Sequence, residues 1–91
     1  MEVLAVSIQV FGRVQGVAFR YSAQKKAVEC NLTGFVKNLS DGSVFLEVYG
    51  KKTDVQIMID WCSRGSARAV VTNILVNEIP FTEKFSYFSV K

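Results

Sequence analysis

The stretch GRVQGVAFR, Gly12 to Arg20, decides how this chain is read. An alternating apolar run, VLAVSIQVF (Val3 to Phe11), comes before it. In that run Leu4, Val6, Ile8 and Val10 share one face, which predicts a half-buried strand. After it, Phe19, Ala23, Ala27 and Cys30 recur at spacings of four, four and three, which predicts a helix from Arg20 to about Asn31. Asn31 can accept the left-handed conformation that ends such a helix. Gly12 and Gly16 therefore stand in a strand-to-helix turn, with an arginine at the mouth of the helix.

Working outward, Thr33 to Asn38 and Ser43 to Tyr49 read as strands, and Ser40-Asp41-Gly42 between them is a tight hairpin signal. Val44, Leu46 and Val48 give the second of these strands its core face. Thr53, with Gln56 three residues on, forms a Thr-x-x-Gln capping box that predicts a second helix. Val55, Met58, Ile59 and Cys62 make its buried stripe, Arg64 sits in its last turn and Gly65 stops it. Arg68 to Glu78 reads as a fourth strand with Val70, Ile74 and Val76 inward, and Phe85 to Val90 as a short fifth. The order β-α-β-β-α-β plus a terminal strand predicts an α+β, ferredoxin-like split βαβ sandwich: an antiparallel sheet with two helices on one face. Right-handed crossovers set the core strand order as 4-1-3-2, and the fifth strand is expected at the edge beside the second.

The chain has 91 residues, enough for one modest core without metal or disulfide staples, and residues 1–91 are expected to form a single domain. Apolar residues make up 49% and charged residues 21%, in the range of an ordinary globular domain. No apolar run is long enough to cross a membrane, and the N-terminus carries no secretory signal, so a cytoplasmic protein without membrane contact is expected. Cys30 and Cys62 lack metal spacing and read as reduced core thiols. There is no histidine, which removes the commonest metal ligand and the commonest general base together and argues against a zinc enzyme or a Ser-His-Asp hydrolase. The net charge of +3 favours anionic partners only weakly, and no basic run suggests a nucleic-acid arm.

The predicted topology brings chemistry together. Strands 1 and 2 run the same way with strand 3 between them, so their C-terminal ends lie roughly 10 Å apart at the usual strand spacing. One end carries the glycine turn and the other carries Asn38, which shares parity with the inward Val36. A helix N-terminus presents backbone N–H groups without intrahelical partners and a partial positive charge. A glycine-containing loop can turn further N–H groups inward as an anion nest. Arg20 adds a planar fork, with no acidic residue three or four positions away to occupy it. An arginine in a first helical turn opposes the helix dipole, which mildly favours a functional role. On spacing alone, an ordinary turn with a solvated arginine and a phosphate cradle both remain open.

At this point a resemblance bears on the choice. VFGRVQGVAFR (Val10 to Arg20) resembles the first signature of the acylphosphatase family, and GFVKNLSDGSVFLEVYG (Gly34 to Gly50) resembles its second. The positions that carry the match are Gly12, Val14, Gln15, Gly16, Val17, Phe19 and Arg20, then Gly34, Lys37, Asn38, Gly42, Val44 and Gly50. FSYFSVK at the end is similar to the family's last strand. One departure is visible: many members carry a proline after the glycine that ends the second helix, where this chain has Gly65-Ser66-Ala67-Arg68. The resemblance implies hydrolysis of acyl phosphates without metal or cofactor. It implies Arg20 as the phosphate-binding arginine and Asn38 as the residue that positions the attacking water. The phosphate cradle is then expected from the backbone N–H groups of Gln15, Gly16, Val17, Ala18, Phe19 and Arg20. Expected partners are a small-molecule acyl phosphate and inorganic phosphate, as product and competitive inhibitor, acting on a monomer that binds no nucleic acid.

The alternative is a ferredoxin-like nucleic-acid-binding module without catalytic activity. RNA-recognition domains share this element order and use aromatic residues on the open sheet face. Phe45, Tyr49 and Tyr87 could face that way, yet Glu47 stands between the first two and no basic-Gly-aromatic-Gly-aromatic string occurs.

Overall fold

A computed structural model describes residues 2–91; Met1, the first residue of the expected domain, lies outside the described residues. The elements follow the order β1 (Val3–Arg13), α1 (Phe19–Glu29), β2 (Thr33–Asn38), β3 (Val44–Lys51), α2 (Lys52–Arg64), β4 (Val70–Glu78) and β5 (Phe88–Val90). They build one five-stranded sheet of order β4-β1-β3-β2-β5. The core order and the place of β5 beside β2 are as expected. The sheet is not strictly antiparallel, however: β5 pairs with β2 in parallel, Gly34 opposite Phe88 and Val36 opposite Val90. The reason is geometric. β4 runs antiparallel to β1, and so ends where β1 and β2 begin. The segment 79–87 then crosses the sheet at that end, and β5 must start beside the start of β2.

Alternation on β1 and β3 and the helical stripes make one core. Val6, Ile8, Val10, Leu46, Val48 and Val36 meet Phe19, Ala23 and Ala27 of α1 and Val55, Met58 and Cys62 of α2, all buried. Complete burial of the Val, Leu, Ile, Phe and Met side chains among them contributes about 1.5–3 kcal/mol each. Both cysteines are free and buried, and burial pushes the Cys62 thiol up to about 12. Helix α1 ends in a Schellman motif around Asn31, which has φ 57°. Leu32 N–H donates to Ala27 O at 2.9 Å and Asn31 N–H to Val28 O at 3.1 Å.

Several local expectations need correction: the fifth strand, expected from Phe85, spans only Phe88–Val90, and three others differ as well. Helix α2 starts one residue before Thr53, with Lys51 as its N-cap and no side-chain capping bond. Strand β3 runs straight into the helix, and Lys52 N–H finds the Glu2 carbonyl at 3.1 Å instead of a capping box. In β4, Val70 is 56% exposed and Val76 39% exposed, while Val71 and Ile74 pack on the core. A bulge opposite Phe11 and Gly12 causes the parity change: Phe11 pairs with Asn73 but Gly12 with Val71, leaving Thr72 unmatched. Val76 lies opposite the buried Ile8 but on an edge strand with a neighbour on one side only. Finally, β1 extends through Gly12 to Arg13, so Gly12 belongs to the strand and not to the turn ahead of the helix.

Gly12 has φ 123°, and a Cβ there would stand 2.1 Å from Val70 O and 2.9 Å from Thr72 N. Gly16 has φ 75° but open space around it, with nothing within 4 Å of an added Cβ. Gly16→Ala is therefore expected to cost only the left-handed penalty of about 1–2 kcal/mol. Gly12→Ala must also displace backbone, and is expected to cost more than about 3 kcal/mol. Urea unfolding of both variants measures the difference; equal losses would contradict the assigned role of Gly12.

Candidate active site

Strand β1 delivers the chain to Val14, which is buried, and α1 begins at Phe19. The loop between them reverses in four residues. It does so with left-handed backbone at Gly16 (φ 75°) and again at Ala18 (φ 60°, ψ 24°), separated by Val17 with negative φ. Alternation of this kind aims successive N–H groups to one side as an anion-binding nest. Ala18 is the N-cap of α1, and an alanine in this conformation costs about 1–2 kcal/mol. The glycine pattern marks Gly16, but nothing in the sequence marks Ala18 as strained.

The helix N-terminus stays uncapped. No side chain bonds it and no acidic residue lies in its first turn. The first helical bond runs from Ser22 N–H to Ala18 O at 3.1 Å, so the amides of Phe19, Arg20 and Tyr21 have no intrahelical acceptor. These three residues border a depression of about 190 Å³, lined also by Val14, Gly16, Ala18 and Asn38. No Asp or Glu side chain is in that lining, and the helix terminus and the guanidinium both contribute positive potential there.

Arg20 and Asn38 thus share one depression, although 18 positions separate them in the chain. Asn38 ends β2 opposite Val44, on the same face as the buried Val36, and that face is the one α1 covers. Among the described residues, no hydrogen bond engages its carboxamide. Arg20 is half-buried, and its Nη1 donates to the main-chain oxygen of Lys91 at 2.8 Å. Lys91 is held in turn by its own N–H on Val36 O at 2.8 Å. The parallel seating of β5 therefore places an oxygen that steadies the guanidinium at the rim of the depression, while the other donors of the planar fork have no acceptor among the described residues.

Of the residues expected in the cradle, Gly16, Ala18, Phe19 and Arg20 line the depression, whereas Gln15 and Val17 do not. The Val17 side chain is buried in the core. The Gln15 side chain turns to the β2–β3 hairpin, its Nε2 donating to Leu39 O at 2.8 Å and Ser43 O at 2.9 Å. Val14 and Tyr21 line the depression without having been assigned to the site, and Tyr21 is 64% exposed there. Only its place beside Arg20 could have marked it.

The hairpin itself is stiff. Leu39 N–H bonds Ser43 O at 2.8 Å, and Gly42 N–H bonds Leu39 O at 3.2 Å. Asp41 accepts the Ser43 hydroxyl and, at 2.9 Å, the Ser43 N–H. These donors, the hydroxyl foremost, hold the Asp41 carboxyl below the usual carboxylate range. Gln9 reaches the Ser43 hydroxyl from β1 at 3.0 Å. Among the described residues, no group of three or more metal-ligating side chains converges anywhere.

The open face of the sheet does not offer an RNA-stacking platform. Phe35 and Tyr49 are buried there, and Phe85 of the crossing segment packs on both, with centroids 5.7 and 5.4 Å away. Phe81 packs on Tyr49 at 6.2 Å. The Tyr49 hydroxyl donates to Glu47 at 2.7 Å, and burial with this carboxylate raises the phenol to about 12. Of the three rings expected on this face, Tyr49 and Phe45 are engaged with other aromatic rings, Phe45 with Phe35 at 6.1 Å, and only Tyr87 stands exposed, so no set of adjacent free rings is left for bases.

Comparison with known proteins agrees with the geometry. Residues 6–90 match the family model described as Acylphosphatase. An acylphosphatase from Methylococcus capsulatus is 46% identical over 85 residues, 93% of this chain and 92% of that protein. The structure of an acylphosphatase from Coxiella burnetii superposes with a TM-score of 0.92 at 42% identity, covering 98% of this chain and 93% of its own. That of the Bacillus subtilis acylphosphatase superposes with the same score at 39% identity, covering 97% and 98%. The fold, the two signatures and the likeness over nearly the whole length lead to one conclusion: this chain belongs to the acylphosphatase family of hydrolases.

Proposed function

We propose that this corner of the sheet hydrolyses the carboxyl–phosphate bond of acyl phosphates by metal-free, in-line attack of water, with Arg20 and Asn38 as the catalytic residues. The observation that carries the proposal is the meeting of an uncapped helix N-terminus, a guanidinium and a carboxamide around one depression lined by no Asp or Glu side chain. An acyl phosphate has a good carboxylate leaving group. Holding the phosphoryl group, placing water in line and stabilising spreading charge are then sufficient, and no strong nucleophile is needed.

The backbone N–H groups of Gly16 to Arg20 hold the phosphoryl oxygens. The Arg20 fork binds two of them and tightens as charge shifts in the transition state. The Asn38 Oδ1 accepts a hydrogen bond from water on the side opposite the leaving carboxylate. An amide is a poor base, so the proton passes to a phosphate oxygen of the substrate. Inorganic phosphate, the product, competes for the same cradle. The enzyme is read as a monomer built on a single domain, and two free buried thiols are consistent with a cytoplasmic setting.

Two variants separate the roles, with benzoyl phosphate as substrate, EDTA in the buffer and loss of ultraviolet absorbance as readout. Arg20→Ala removes a charged bidentate contact and is expected to lower the rate about a hundredfold or more while weakening phosphate inhibition. Asn38→Ala is expected to lower kcat by about a hundredfold with phosphate inhibition nearly unchanged. A fall in phosphate affinity as large as the fall in kcat for Asn38→Ala would overturn the water-positioning role.

A further inference from the structure

We propose that Gln15 is a positioning residue: its side chain ties the phosphate cradle to the β2–β3 hairpin and so sets where the Asn38 carboxamide stands relative to the bound phosphoryl group. The proposal rests on the roles given above to the cradle and to Asn38.

Gln15 sits in the loop that forms the cradle, but its side chain does not line the depression. Both hydrogens of its Nε2 are used on the hairpin, one toward Leu39 O at 2.8 Å and one toward Ser43 O at 2.9 Å. Those two acceptors adjoin the Asn38–Val44 pair on its hairpin side. Leu39 follows Asn38 directly, and Ser43 precedes Val44, the residue paired with Asn38 across the hairpin. The hairpin does not need these bonds to close. Ser43 O already accepts Leu39 N–H, and Leu39 O already accepts Gly42 N–H. The Gln15 bonds are therefore additional, and they join two units that the ladder leaves apart.

The β1–β3 ladder ends at Val10 opposite Val44, and beyond it β1 pairs only with β4. The cradle loop follows β1, whereas Asn38 ends β2, two strands away across the sheet. Gln9 also reaches the hairpin, but from within the β1–β3 ladder and to side chains of Ser43 and Asp41. Gln15 makes the corresponding contact from the cradle itself. A near-isosteric side chain without donors would leave both units folded and free to shift relative to one another. In-line attack is sensitive to such a shift, since a displacement of about 1 Å in a reacting geometry can cost about a hundredfold.

The test is a double-mutant cycle on Gln15→Met and Asn38→Ala with benzoyl phosphate, with the inhibition constant of inorganic phosphate measured for each variant and thermal melts to confirm folding. Gln15→Met is expected to lower kcat about ten- to a hundredfold and to leave the phosphate constant within about twofold. In the Asn38→Ala background the same change is expected to cost less than about twofold, because the group it positions is gone. Undiminished kcat in Gln15→Met, a loss that multiplies fully with that of Asn38→Ala, or a matching fall in phosphate affinity would each overturn the tether. A fully active Asn38→Ala would instead overturn the water-positioning reading, and the tether with it.

Gln15→Glu gives a second, independent readout. An ionised carboxylate cannot donate to either carbonyl, while a protonated one donates to one of them. The ratio of its kcat to that of the unaltered protein is expected to rise as pH falls through the titration of the introduced carboxyl. A pH-independent ratio would overturn the proposal, and this variant carries the test alone should Gln15→Met not fold.

Discussion

The account depends on a set of backbone amides that the fold leaves without acceptors. Helix α1 begins with neither a capping side chain nor an acidic residue in its first turn. Ordinarily a helix start recovers stability from such a cap, on the order of 1 kcal/mol. Here the loop ahead of it adds strain, because Ala18 is held in the left-handed region. Both features work against stability and both would serve the proposed anion: uncapped amides keep their hydrogens available, and alternating backbone handedness aims them together. The sheet and core beneath are tightly buried and supply the rigidity that keeps this arrangement in place.

The scaffold also explains why the reacting groups come from such distant parts of the chain. A split βαβ sheet sets β1 and β2 in the same direction with β3 between them. The cradle follows one and the carboxamide ends the other. The remaining elements adjust this juxtaposition. Strand β5, seated in parallel beside β2, presents the Lys91 oxygen to the guanidinium of Arg20. The hairpin, closed by Asp41 and Ser43, receives Gln15 from the loop. In the proposed mechanism the site acts by placement and field, which suits a substrate that already carries a good leaving group.

Much of this was legible in the residues, and the parts that were not share a physical cause. Alternation in β1 and β3, the four-residue spacing of Phe19, Ala23 and Ala27, and the left-handed Asn31 are local signals, and the elements formed where they pointed. That Arg20 and Asn38 meet at one end of the sheet was legible from topology, since the motifs place them at the helix start and at the end of β2. The misses depend on what one segment meets in another. The β4 parity changed because the bulge lies across from Gly12 in β1. The capping box at Thr53 gave way because β3 runs into α2 and Glu2 supplies the acceptor. The direction of β5 follows from a crossing segment without periodicity. The bonds of Gln15 to the hairpin and of Lys91 to Arg20 span 24 and more residues and leave no spacing to detect.

The central claim is that the amides around α1's start, together with Arg20, form the binding site for a phosphoryl group. Titration of isotope-labelled protein with inorganic phosphate, followed by amide and arginine side-chain NMR shifts, tests it most directly. The account predicts saturable downfield shifts of the amides of Gly16 to Arg20 and of the Arg20 side chain, with one common affinity. Shifts confined to other cationic surfaces, such as the groove of Lys25 and Lys26 beside Trp61, or shifts that never saturate, would contradict it.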